Sequence, residues 1–342
     1  MLWWPFFLWP LWSHSEPMEL WIWLSLLGGV FQAFRVAGQR LIADRNATQR
    51  VTPSDWAPAF SRVILGFPIA IVAYLIASNL EGGRATAIFD FNPLFWFWVI
   101  VIALFQMTAT ALQTRLVRRR NFALGVMYVK ILILATAVIG VVFFADRFSW
   151  IEWLAIGVGT AGVLMMGAGR VAAQANTAQG STDRSARIEW DWGSVILGLS
   201  AGLVLAITGI AGREAADALP SDAGTLSRGV GALTVMLSVQ LSVSAIGIWL
   251  RDPREFLDLV DRWRVVGLTS LFSIAGSLCW FMAFVLAHPA LVNLVGQVEF
   301  LVAFGLSILL FRDWPARWEL VGMTVTLIGI LMLFWQSAAG AV

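Results

Sequence analysis

Two passages decide how this chain is read: Phe143 to Gly162, FFADRFSWIEWLAIGVGTAG, and Leu310 to Gly329, LFRDWPARWELVGMTVTLIG. Superposed at a shift of 167 residues, Phe144, Asp146, Glu152 and Gly162 fall on Phe311, Asp313, Glu319 and Gly329. Apolar segments match one another by chance, so the polar anchors carry the comparison. Two acids six residues apart, with a glycine ten residues beyond, recur at the same point of each passage. The register runs without a gap from Leu104–Met166 onto Leu271–Leu333, with Ala123-Leu124 on Ala290-Leu291. Towards the N-terminus, Arg40 and Asp44 match Arg213 and Asp217, and Ser61-Arg62 matches Ser227-Arg228 after a shorter loop.

The repeated unit is a membrane unit. Among 342 residues, 59% are hydrophobic and only 13% charged, with a mean hydropathy of +0.79, outside the range of soluble domains. Apolar stretches long enough to span run over 20–42, 56–77, 94–114, 123–144 and 150–167, then over 192–212, 229–250, 265–287, 290–311 and 318–335. Helices are required, because backbone N–H groups in hydrocarbon pair within their own segment unless a closed barrel forms, and strand alternation is missing. The expected fold is an all-α polytopic membrane protein of ten transmembrane helices as two inverted five-helix repeats. It divides into an N-terminal interfacial segment (1–19), a first repeat (20–169), a linker (170–191) and a second repeat (192–342). The opening MLWWPFFLWPLW has no Lys or Arg before its apolar run and is too short to span, so it reads as interfacial, with Met18 an alternative start. Trp21, Trp56, Trp150, Trp192, Trp249, Trp318 and Trp335 fall near span ends, where indoles favour the headgroup boundary.

An odd number of spans per repeat forces the two halves into opposite orientations, as in many secondary transporters. Arginines concentrate in the loops after spans one, three, five, seven and nine, including the run Arg118 to Arg120, while Arg84, Arg147 and Arg213 are nearly alone on the other side. By the positive-inside rule this count puts both termini outside.

The pattern from Phe144 to Ser149 followed by Gly157 and Gly162, and its echo Phe311-Arg312-Asp313 followed by Gly322 and Gly329, resembles the EamA-type branch of the drug/metabolite transporter superfamily. The resemblance covers nearly the whole chain and implies a ten-helix metabolite transporter, more often an exporter, of a bacterial inner membrane. It implies both termini in the cytoplasm, against the arginine count. Family members carry a Glu-Pro pair midway along the fourth helix of each repeat, then a Gly-Glu-Arg turn. Here Glu299 stands at the second glutamate, with Phe300 for the proline. Leu132 stands at the first, with Lys130 two residues earlier, and Asp146 and Asp313 replace the turn glutamates.

Polar side chains within the spans form stripes at helical spacing. Span one carries Gln32, Arg35 and Gln39; span three Gln106, Thr110 and Gln113; span four Tyr128, Lys130 and Thr136; span eight Ser270, Ser273 and Ser277; span nine Asn293 and Gln297 with Glu299 nearby. Gln32, Arg35, Gln106, Gln113, Tyr128, Lys130, Ser273, Ser277, Asn293, Gln297 and Glu299 are the candidate substrate-binding residues, lining a cavity near the midplane. Serine and threonine can instead serve as interhelical contacts worth about 0.6 kcal/mol each. An ionisable group costs about 2.5–3.5 kcal/mol at mid-membrane, so Arg35, Lys130 and Glu299 should be paired or face a cavity. Lys130 and Glu299 are read either as an ion pair between the fourth helices or as a site in which Lys130 and Arg35 attract a carboxylate or phosphate while Glu299 reads an amine or exchanges a proton. Spans two, five, seven and ten look apolar, Arg40 and Arg213 look like headgroup snorkels, and Asp146, Glu152, Asp313 and Glu319 look like turn or cap residues.

These features favour a secondary transporter of an amino acid, organic acid or similar metabolite, proton-coupled if Glu299 exchanges a proton. A lipid or polyprenyl-phosphate flippase of the same fold is the alternative, and a non-transporting assembly or sensor protein is the alternative of another class. No GxxxxGK[ST], HExxH or GxSxG pattern occurs, so neither ATP drive nor a known enzyme motif is supported, and no cofactor is expected. Cys279 is the single cysteine and His14 and His288 lack ligand spacing, so no metal is expected. The near-balanced charge of +2 gives no nucleic-acid surface. Expected partners are a small-molecule substrate and membrane lipid, with the chain a monomer or homodimer.

Overall fold

Apolar stretches of this length fold as helices because hydrocarbon offers their backbone no other partner. In the computed structural model, which describes residues 17–43, 54–84, 86–90, 92–117, 128–179, 192–306 and 317–338, all regular structure is helical. The helices are α1 (Pro17–Ala43), α2 (Trp56–Val63), α3 (Gly66–Leu80), α4 (Pro93–Val117), α5 (Leu132–Phe144), α6 (Trp150–Gln179) and α7 (Trp192–Asp217). They continue with α8 (Thr225–Arg251), α9 (Arg254–Asp261), α10 (Trp263–Leu286), α11 (Pro289–Val295), α12 (Glu299–Leu306) and α13 (Arg317–Ala338). Among the described residues, seven helical stretches are long and apolar enough to cross a membrane: 56–80, 93–116, 150–168, 192–217, 225–251, 263–286 and 317–336. Three shorter apolar stretches, 20–36, 132–144 and 289–302, fall where the other expected spans lie. The opening segment before Pro17, the run Arg118 to Arg120, Asp313 and most of the linker lie outside the described residues.

Three interruptions position the polar groups. Pro68 has no N–H, and its ring crowds the Ile64 carbonyl, so the second span breaks between α2 and α3. Ser270 of α10 stitches this break: its hydroxyl accepts from Leu65 N (3.0 Å) and Gly66 N (3.1 Å) and donates to the Arg62 carbonyl (3.2 Å). One hydroxyl thereby uses its donor and both acceptor sites. A tightened turn precedes α5, with Ile131 N donating to Tyr128 O (3.2 Å) and Ile133 N to Lys130 O (3.4 Å). One 3-10 turn over Gly296–Val298 separates α11 from α12.

Helix pairing crosses between the halves. The most extensive contacts run between α1 and α10, α4 and α7, and α6 and α13, with α3 against α8 and α5 against α11. Backbones of α6 and α13 touch: a Cβ built on Gly162 would lie 2.5 Å from Thr326 N, and one on Gly329 would lie 2.8 Å from Gly159 N. At the start of α6, Ser149 N donates to Glu152 Oε2 (2.6 Å) and Glu152 N to Ser149 Oγ (3.3 Å), a reciprocal cap. The loop after α8 contains the short amphipathic helix α9, which hydropathy alone did not reveal; its buried Glu255 accepts from Ser54 N (2.6 Å). Trp150, Trp192, Trp249, Trp318 and Trp335 stand exposed at helix ends, as expected of an aromatic belt, but Trp21 is buried in the core.

Candidate functional site

The interruptions before α5 and between α11 and α12 face one another across the molecule. Lys130 sits at the first and Glu299 just beyond the second, and their side chains form an ion pair, Lys130 Nζ donating to Glu299 Oε1. The ammonium also lies 4.4 Å from the centre of the Phe300 ring, so Phe300 packs against the cation. Glu299 opens α12, where the helix dipole favours a carboxylate.

Each break is approached by a glycine from the other half. A Cβ on Gly29 of α1 would lie 2.5 Å from Gly296 O, and one on Gly202 of α7 would lie 2.6 Å from Val129 O. Gly29 and Gly202 are related by the shift that places Arg40 on Arg213, and Val129 and Gly296 by the 167-residue shift of the later register. Only glycine lets a helix come so near the opposing carbonyl.

Beside the ion pair, Arg35 of α1 lies within the field of the Glu299 carboxylate, and its Nε donates to Gln32 Oε1 (3.1 Å). Arg62 of α2 is buried and within the field of Arg35. Its Nε donates to Ser273 Oγ (3.0 Å) and its Nη2 to Ser277 Oγ (3.4 Å). The Gln106 carboxamide, oriented by its neighbours, accepts from Nη1 (2.9 Å) and Nη2 (2.6 Å). The candidates Gln106, Ser273 and Ser277 thus converge on a residue outside the expected set. Span two is not uniformly apolar: it buries Arg62, and the criterion that singled out Arg35, a cation inside an apolar span, would have found it.

Asn293 and Gln297 stack one turn apart, Gln297 Nε2 donating to Asn293 O (2.8 Å), while Asn293 Nδ2 approaches Thr136 Oγ1 at 3.5 Å. Among the described residues, Gln113 and Tyr128 are half-buried and make no side-chain hydrogen bond to this cluster. The side chain of Gln39 lies outside the described residues.

A second polar cluster closes the end of the bundle where α5, α7, α8 and α11 meet. Asp146 pairs with Arg213 (3.2 Å) and with His288 Nε2 (2.8 Å), and Asp217 faces both Arg213 (3.8 Å) and Arg228 (3.7 Å). Arg213 is therefore an ion-pair partner rather than a snorkel, and Asp146 joins α5 to α11 instead of only capping a turn. His288 Nδ1 accepts from Ala290 N (3.1 Å), so the neutral ring donates from Nε2 to Asp146. Burial pushes the His288 imidazolium below its ordinary range, against the opposing pull of Asp146.

Long apolar helices, crossed pairing and a polar centre define a multi-pass membrane protein. Residues 192–335 match the model of the EamA-like transporter family, a likeness confined to the second half of the chain. None of the curated proteins matches the chain. A solved crystal structure covers 94% of this chain and 97% of its own with a TM-score of 0.61 at 12% identity, a likeness that carries the fold alone.

Proposed function

We propose that the protein is a secondary transporter of drug/metabolite transporter type that moves a small metabolite, an amino acid, organic acid or similar solute, across a bacterial inner membrane, in the export direction. The ten helices act as two inverted five-helix repeats, and the solute binds at the two opposed helix interruptions, where Lys130 and Glu299 meet.

The observation that carries this reading is the duplicated contact at the centre: Gly29 against Gly296 O and Gly202 against Val129 O. Related positions in the two halves make the same close approach, and interrupted helices at a repeat interface are where transporters of inverted topology hold their solutes. Rocking one half against the other about these contacts would expose the site to either side. Glu299 is the candidate for proton coupling, since a carboxyl that exchanges Lys130 for a proton alters the charge of the centre.

Solute counterflow in proteoliposomes tests the reading. Amino acids and organic acids are loaded inside and a labelled trace is offered outside. Exchange above protein-free vesicles is the expected result; none for any solute refutes transport. Accumulation driven by a pH gradient and undiminished in Glu299→Gln would end the coupling role.

A further inference from the structure

The central cluster has an asymmetry that the repeat itself exposes. Ser227-Arg228 of the second half repeats Ser61-Arg62 of the first, and Arg228 has a carboxylate, Asp217, at 3.7 Å. Among the described residues no carboxylate lies within ion-pair distance of Arg62, and its partners are the neutral Ser273, Ser277 and Gln106. Arg62 is nonetheless only 5% exposed, and among the described residues the charge whose field acts on it is another cation, Arg35. Glu299, the acid of the centre, is engaged by Lys130. A guanidinium held in a membrane interior beside a like charge is retained against a cost of several kcal/mol.

We infer that Arg62 binds the anionic group of the transported solute, a carboxylate or a phosphate, and that the substrate class is therefore organic anions. The inference rests on the transporter reading. Two serine hydroxyls and a carboxamide fix the guanidinium plane, and each is a group that can be exchanged for a stronger acceptor. Serine hydroxyls that now accept from Arg62 can rotate and donate to an arriving oxyanion. A planar fork holds a carboxylate or phosphate through two parallel N–H bonds, which a lysine ammonium cannot reproduce. Arg35, one helix away, adds attraction at longer range. Because Ser270 accepts at the break and also receives nothing from the Arg62 side chain, it holds the backbone of the arginine while Ser273 and Ser277 hold its head. The anion site therefore sits on α2 beside the break between α2 and α3.

The test is thermal unfolding of the purified full-length protein, at constant ionic strength, with sodium succinate, sodium glycerol 3-phosphate, glucose or putrescine. A parallel arm compares nanodiscs of phosphatidylglycerol with nanodiscs of phosphatidylcholine. Wild type, Arg62→Gln and Arg62→Lys are compared. Succinate or glycerol 3-phosphate should raise the melting temperature by about 5 °C at about a hundred times Kd. Arg62→Gln should weaken that binding at least about tenfold, and its unliganded form should melt no lower than wild type. Stabilisation by phosphatidylglycerol alone, lost in Arg62→Gln, would support the same chemistry with a lipid headgroup as its source. If Arg62→Gln folds poorly, Arg62→Lys decides: weakened anion binding in a variant that melts like wild type supports the site, and unchanged binding overturns it. Anion binding that survives in Arg62→Gln, stabilisation by glucose or putrescine only, or no response to any anion also overturns it. Counterflow separates the two readings, since anion binding lost with Arg62 but without exchange refutes transport alone, and exchange of uncharged or cationic solutes only refutes the anion class alone.

Discussion

Removing the Glu299 carboxylate leaves the Lys130 ammonium against the Phe300 ring with no anion in contact. The two side chains are 11% and 16% exposed, so water recovers little of the lost interaction. Breaking a buried pair from one side costs about 3–5 kcal/mol. The cation–π contact and residual exposure place this site near the lower end, about 3 kcal/mol, which at about 2 °C per kcal/mol lowers the melting temperature by about 6 °C. Lys130→Met should do the same by stranding Glu299. The double variant removes both charges together and should melt within about 2 °C of wild type, giving a coupling energy of about 3 kcal/mol or more in the double-mutant cycle. Scanning fluorimetry on the four proteins in one detergent is sufficient. A double variant whose loss equals the sum of the single losses would refute the argument, because the two groups would then act independently.

Acid should loosen the cluster at the other polar end. The folded imidazolium of His288 lies below the unfolded value of 6.5, so the unfolded chain binds the proton first; stability is complete above about pH 6.5 and is lost as pH falls towards the folded value. His288→Asn, which can keep the cap on Ala290 N, should flatten the melting-temperature profile between about pH 7 and pH 5; an unchanged slope would exclude His288 as its source. Gly162→Leu should cost at least about 1–3 kcal/mol by forcing α6 from α13, while Gly157→Ala, where a Cβ meets nothing within 4 Å, should be neutral or stabilising by up to about 1 kcal/mol. Equal melting temperatures for those two variants would mean that the α6 and α13 backbones are not in contact.

Hydropathy located the helices well because length and apolar content are one-dimensional properties of the chain. The spans expected at 56–77 and 192–212 correspond to helical stretches over 56–80 and 192–217. Lys130 and Glu299 were also legible, since each is an ionisable residue where only pairing or a cavity makes it tolerable. Arg62 was missed for a different reason. Its sequence match to Arg228 drew attention to register, and partners 211 and 215 residues away carry no local signal. Ser270, Ser273 and Ser277 read as one stripe, but only packing against α2 separates the hydroxyl that closes a backbone break from the two that hold a guanidinium. Gly29 and Gly202 were invisible among thirty glycines, because their meaning lies in the carbonyl each one faces.

Crossed helix pairing also governs how the molecule can be made. The principal partner of α1 is α10, which leaves the ribosome roughly 220 residues later, about 10–40 s at ordinary elongation rates. During that interval α1 must reside in the bilayer with Arg35 lacking the field of Glu299, and α2 with its break unstitched because Ser270 has not yet been synthesised. The first half of the chain is thus an insertion intermediate rather than a folded half, and assembly finishes when the helices of the second half pack between those already waiting.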